Sequence, residues 1–243
     1  EFKGSKILFT LCALPLVIPS YIGALTYISA FSPKGLFVQI FNRYGIEEIS
    51  GIEGFLGSWI VLTLFTYPYV QLICSSALRN LDSTVEDAAR SLGVSQFKVY
   101  TNVVIPRLKK PIVYSSLLVG LYVISDFGAV SLMRYSTVTK AIYAYYELSI
   151  LSDPVIFYSS LLIVLALLIS FIQRGSATSR SAKVSGTPRI PKKVRLERNG
   201  KVLVYSFLGG IIFLGLIIPV AVLGFWLFRG LYYGTDLTSS IPG

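Results

Sequence analysis

Asp126 is the one formal charge inside the long apolar runs of this 243-residue sequence, which contains no histidine. An acid held among apolar residues is expensive and faces a bundle interior or a watery cavity. One reading of Asp126 is therefore a wall residue of a translocation path; the other is a packing role, accepting hydrogen bonds where a helix ends near Gly128. Tyr143, Tyr145 and Tyr146 beside Glu147 bring together oxygen donors that suit a hard cation such as Fe(III). Tyrosine is also enriched where a span meets lipid headgroups, and that interfacial reading is the simpler one. Cys12 and Cys74 lie inside apolar runs, where a thiol behaves as a small hydrophobe, and two isolated thiols form no metal or disulfide framework. Without histidine there is no triad or zinc-hydrolase chemistry, and no G-x-x-x-x-G-K-[ST] segment cradles a nucleotide phosphate. No metal and no cofactor is expected, and any ATP hydrolysis must come from a partner.

The elements that carry these residues are set by composition. The sequence is 53% hydrophobic and only 14% charged, yet its formal net charge is +10. A soluble domain has about 45–50% apolar and about 25% charged residues, so water-facing side chains could not cover this chain's apolar surface. Crossing a bilayer takes about 20 apolar residues, because the hydrocarbon core is about 30 Å thick. The runs 7–31, 55–78, 111–133, 154–173 and 202–228 meet that length, giving five predicted spans in an all-α, polytopic transmembrane helical bundle. Pro15, Pro19, Pro68 and Pro219 fall inside them, where neighbouring helices can satisfy the freed backbone groups.

Orientation follows the basic residues, which accumulate in cytoplasmic loops. Lys3 and Lys6 precede the first span, and Arg79, Arg90, Lys98, Arg107, Lys109 and Lys110 lie between the second and third. Residues 174–201 hold nine more against the single acid Glu197. Lys34, Arg43, Arg134, Lys140 and Arg229 make up the sparser opposite side. The residue 1 side is thus predicted cytoplasmic and the C-terminal end exoplasmic. Rich in Ser, Gly and Pro, 174–201 cannot bury a core and reads as a flexible linker. Its charges suit anionic lipid heads better than nucleic acid.

The segment 81–110 is patterned differently. Ser83 and Glu86 form a capping box with Asp87 in the first turn, and Gly93 fits the left-handed position that ends a helix. Ser95 can cap a second helix, which Pro106 is expected to close, because the residue before proline resists the α conformation. Two short helices joined at glycine also suggest a helix-turn-helix DNA reader. Both ends are tied to spans, however, which leaves no room for a supporting third helix, and no nucleic-acid partner is expected.

The spacing resembles the cytoplasmic coupling loop of binding-protein-dependent ABC transporter permeases (type I importers, MetI-like): Glu-Ala-Ala, three residues, Gly, nine residues, Ile, one residue, Leu, Pro. Asp87, Ala88, Ala89, Gly93, Val103, Ile105 and Pro106 stand at those positions, with Asp87, Val103 and Ile105 as conservative departures. Because Asp87 is shorter than glutamate, Glu86 is an alternative for the charged contact. The resemblance implies that the first helix of the loop docks on a cytoplasmic ATPase subunit, with Ala88 and Ala89 allowing close approach and Gly93 setting the angle between helices. ALPLVIPSYIGALTYI (13–28), LTLFTYPYVQL (62–72) and SDFGAVSLMRYSTVTKAIYAYY (125–146) further resemble ferric-iron permeases, whose chains typically fuse two halves of about six spans each.

On that template 1–173 is a partial permease domain with its coupling loop at 79–110, 174–201 a linker, and 202–243 the opening span of a second half. Glu1 is not a methionine and no signal segment precedes the first run, so the start reads as internal. The implied function is the translocation subunit of an ATP-driven importer in a bacterial plasma membrane, with ATPase subunits, an exoplasmic solute-binding protein and the lipid bilayer as partners and no covalent catalysis of its own. Ferric iron is the first choice of solute, with thiamine, sulfate, molybdate and polyamines as alternatives within the family. A membrane-tethered DNA-binding regulator is the alternative from another class.

Overall fold

The structure is a computed structural model and describes residues 4–33, 35–42, 51–79, 91, 93–147, 153–177 and 198–232. All regular structure among the described residues is helical. Helix α1 (Ser5–Ala13) tightens into a 3₁₀ turn, Leu14–Val17, followed by α2 (Ser20–Phe31), α3 (Leu36–Asn42) and the long α4 (Gly54–Arg79). Next come α5 (Gln96–Val99), a π turn (Tyr100–Val104) and α6 (Ile105–Ser125), running without interruption. The short α7 (Gly128–Leu132), α8 (Val138–Glu147) and α9 (Asp153–Ala177) follow. A last helix comprises α10 (Arg198–Ile212), a π turn (Phe213–Ile217) and α11 (Ile218–Tyr232).

Among the described residues, four helices are long and apolar enough to cross a membrane, Gly54–Arg79, Tyr100–Ser125, Asp153–Arg174 and Gly200–Tyr232. The first apolar run is bent: Ser5–Val17 and Ser20–Asn42 meet at 92° and count as a fifth span only together. Pro19 lacks an N–H and pushes Ile18 into the extended region (φ −87°, ψ 116°), which ends the preceding turn.

Two expectations need correction. Pro106 does not close a helix: Ile105 before it is helical (φ −57°, ψ −46°) and donates its N–H to the Tyr100 carbonyl. That i to i−5 bond widens the turn by one residue and takes up the break in the ladder that proline would otherwise cause. As a result the third span runs Tyr100–Ser125 rather than 111–133, with Pro111 inside the helix, and Asp126 lies just past its end instead of within it. The same device recurs before Pro219, where Ile218 is helical and bonds back to the Phe213 carbonyl.

The core joins the bent first span to three other segments. Ala24, Tyr27 and Ala30 of α2 pack with Val61, Leu62, Leu64 and Phe65 of α4, with Ala129, Val130 and Met133 around α7, and with Ile218 and Val222 of α11. Burying such side chains contributes roughly 1.5–3 kcal/mol each where the alternative is water. Between apolar helices in lipid, close packing and interhelical hydrogen bonds carry the association instead, and small Ala24, Ala30 and Ala129, all fully buried, allow it. Tyr67 of α4 donates its hydroxyl hydrogen to the Cys12 carbonyl, and Gln71 Nε2 reaches the Phe9 carbonyl at 3.2 Å, tying α1 to α4. Helix α9 buries none of its 18 most apolar residues, leaving Phe157, Leu167 and Phe171 facing outward, as suits a lipid-facing span.

Candidate functional site

Two features surround the ends of the helix Gln96–Ser125. At its start lies the second part of the predicted coupling loop. Glu86, Asp87, Ala88 and Ala89 lie outside the described residues. Gly93 is exposed with φ +78°, in the left-handed region that its position after a helix predicts, and nothing lies within 4 Å of where a Cβ would stand. The Val99 N–H bonds to the Ser95 carbonyl at 3.0 Å, so the helix starts at the residue the capping pattern indicates. Val103 is half-buried, and Ile105 and Pro106 are exposed. Among the described residues here, Val99 and Val104 are buried, 1% and 4% exposed. Five apart, they would diverge by about 140° on an α-helix; the extra residue of the π turn brings them towards one face. Spacing alone did not single them out, because the signal is a hydrogen-bond register that proline shifts.

At the other end, Asp126 leaves the helix (φ −69°, ψ 122°) and both its carboxylate oxygens are engaged. Oδ1 accepts the Ala129 N–H at 3.0 Å, so the side chain caps α7. Oδ2 accepts the hydroxyl hydrogen of Ser20, the first residue of α2, which is 5% exposed. The Tyr122 hydroxyl, one turn before Asp126, donates to Ser20 Oγ at 3.0 Å. Thr139 of α8 donates its hydroxyl hydrogen to the Asp126 carbonyl at 3.2 Å. Gly128 permits the close approach, since a Cβ there would stand 2.8 Å from Tyr21 Cβ. The hydrogen bonds are those of the packing reading of Asp126, and Ser20 and Tyr122 are partners that sequence reasoning did not identify.

The Tyr143 hydroxyl donates to Glu147 Oε1 at 2.7 Å, and the carboxylate beside it pushes the exposed phenol's pKa up. A phenolate ligand for a hard cation is therefore disfavoured there. Tyr145 stacks on Tyr158 of α9, with ring centroids 6.0 Å apart. Among the described residues, no three His, Cys, Asp or Glu side chains are grouped to hold a metal ion.

Several apolar helices of spanning length, two of them carrying a π turn just before a proline, define a multi-pass membrane protein. The sequence pattern of the family described as binding-protein-dependent transport system inner membrane component matches residues 1–179, and the chain belongs to that family. It is 30% identical over 234 residues to the Fe(3+)-transport system permease protein FbpB 2 of Haemophilus influenzae, covering 95% of this chain and 42% of that protein. It is 29% identical over 133 residues to the chloroplastic sulfate permease 2 of Chlamydomonas reinhardtii, covering 55% of this chain and 35% of that protein. Sulfate transport system permease protein CysT of Salmonella typhimurium is 27% identical over 130 residues, 54% of this chain and 46% of that protein. The chain spans less than half the length of each of these relatives.

Proposed function

We propose that this chain is part of the membrane translocation subunit of an ATP-driven, binding-protein-dependent importer, with ferric iron as its solute. The observation that carries the solute is the similarity to the Fe(3+) permease, which extends over 95% of this chain and so includes the linker and the last span. The sulfate permeases match over 55% and 54%, which makes sulfate the second reading. Residues 79–110 couple to separate ATPase subunits, with Glu86 or Asp87 supplying the charged contact and Ala88 and Ala89 the close approach. An exoplasmic binding protein delivers the solute. The cytoplasmic side holds residue 1 and the basic segments 79–110 and 174–201, in keeping with the charge bias. Residues 1–173 form the larger part of one permease half, and the last helix opens the next.

The decisive experiment reconstitutes the transporter with its ATPase and binding protein in proteoliposomes and measures ATP-dependent uptake of labelled Fe(III) and labelled sulfate. Fe(III) uptake supports the first reading; sulfate uptake without Fe(III) uptake replaces it with the second. Ala88→Glu should abolish uptake while the protein still inserts, and normal uptake in that variant would sink the coupling assignment.

A further inference from the structure

Gln96–Ser125 forms one uninterrupted helical path that begins three residues after Gly93 and ends at Asp126. At about 1.5 Å per residue its 30 residues reach about 45 Å. Its far end is hydrogen-bonded to the bent first span at the bend itself. Ser20 directly follows Pro19, where Ser5–Val17 and Ser20–Asn42 meet at 92°, and its hydroxyl is held by both Asp126 and Tyr122. The cap on Ala129 adds α7 to the same joint, and the Thr139 hydroxyl adds α8. One carboxylate therefore touches both helix breaks, taking a backbone N–H at its own and a side-chain hydroxyl at the other.

We propose that Asp126 and Ser20 form a latch through which displacement of the coupling loop is carried along Gln96–Ser125 to the bend in the first span. Asp126 is then a positioning residue and not a solute ligand. The physical reason lies in stiffness and alternatives. A continuous helix transmits axial displacement, and hydrogen bonds to a carboxylate are about twice as strong as neutral ones. Asp126 also holds the Ala129 N–H and Ser20 also accepts from Tyr122, so parting the two would disturb the whole network, and the joint moves as one body rather than opening. In Asp126→Asn the amide oxygen can keep the Ala129 N–H and the NH2 can donate to Ser20 Oγ once that hydroxyl turns to accept, so the latch survives while the charge is lost. This inference rests on the proposed coupling function.

The test compares Ser20→Ala, Asp126→Leu, Asp126→Asn and the Ser20→Ala/Asp126→Leu pair in the transporter assembled with its ATPase. Solute uptake and ATP turnover are read in the same proteoliposomes. Uptake per ATP should fall about tenfold in Ser20→Ala and Asp126→Leu with ATP turnover kept. The double variant should be no worse than Asp126→Leu, and Asp126→Asn should stay within about threefold of the parent. Additive losses, or Asp126→Asn as damaged as Asp126→Leu, would overturn the latch, the latter pointing to a charge in the solute path. Hydrogen exchange on the full chain in nanodiscs needs no partner protein. In Asp126→Leu, amides 20–23 and 128–130 should quicken together by at least tenfold; quickening confined to 128–130 overturns the proposal. Absence of uptake in the parent protein would count against the importer reading, and the exchange result would still decide the joint.

Discussion

The Tyr27 hydroxyl donates to the Leu214 carbonyl at 2.7 Å, joining residues 187 apart. The Leu214 carbonyl loses its α-helical donor: the Ile218 N–H is drawn to Phe213 by the π turn, and Pro219 has no N–H to offer. A tyrosine of the first bent span thus completes the backbone of the last one. Tyr27→Phe should destabilise the chain by about 1 kcal/mol, because it takes away the donor to that carbonyl. Unfolding in detergent checks this, together with faster amide exchange across 213–222; unchanged exchange there would mean that the bond does not hold the last helix.

Gly128 is where α7 and α2 touch. Gly128→Ala should cost about 1–3 kcal/mol, since its Cβ would stand 2.8 Å from Tyr21 Cβ and must push the helices apart. Adding Tyr21→Gly removes the atom it strikes and should recover part of the loss. No recovery in the double variant would point to a backbone requirement at Gly128 instead.

Gly93 tests backbone conformation with no contact to confuse it. With φ at +78° and open space around the missing Cβ, Gly93→Asn should be tolerated, whereas Gly93→Val strains the left-handed residue by about 1–2 kcal/mol or shifts the loop. ATP-dependent uptake should be near the parent level in the first and reduced several-fold in the second at equal membrane abundance. Equal uptake in both would show that this turn does not set the coupling angle.

The Tyr143 phenol is held protonated by the Glu147 carboxylate, whose negative charge opposes a phenolate and whose oxygen takes the hydroxyl hydrogen. Glu147→Gln removes the charge, so the Tyr143 pKa should fall back towards the ordinary tyrosine value of about 10. Titration of a carbon-13 label at the Tyr143 ring, with the other tyrosines assigned by substitution, reads the shift. A rise or no change would remove the carboxylate as its cause.

Much of the membrane architecture was legible without coordinates. Residues 55–78 and 154–173 became spans within a few residues of their predicted ends, because apolar length is a local property and the bilayer thickness is fixed. Gly93 was legible for a similar reason: its conformation is set by one missing Cβ. Asp126 was legible as exceptional, but its hydrogen-bond partners were not, since Ser20 lies 106 residues away.

Proline marks the boundary between the two kinds of information. The tripeptide Val-Ile-Pro occurs at 17–19 and again at 104–106. In the first copy Ile18 is extended and the span bends; in the second Ile105 is helical and the span continues. Identical local chemistry removes one N–H in both places, so the sequence by itself determined that the backbone ladder must be interrupted there. What differs is the surroundings. Ser20 finds Asp126 and Tyr122 across the bundle, which stabilises a bend, while buried Val99 and Val104 hold a π turn that absorbs the proline. Only the tertiary structure decided between bend and continuation, because the alternatives are close in local energy and distant side chains supply the difference.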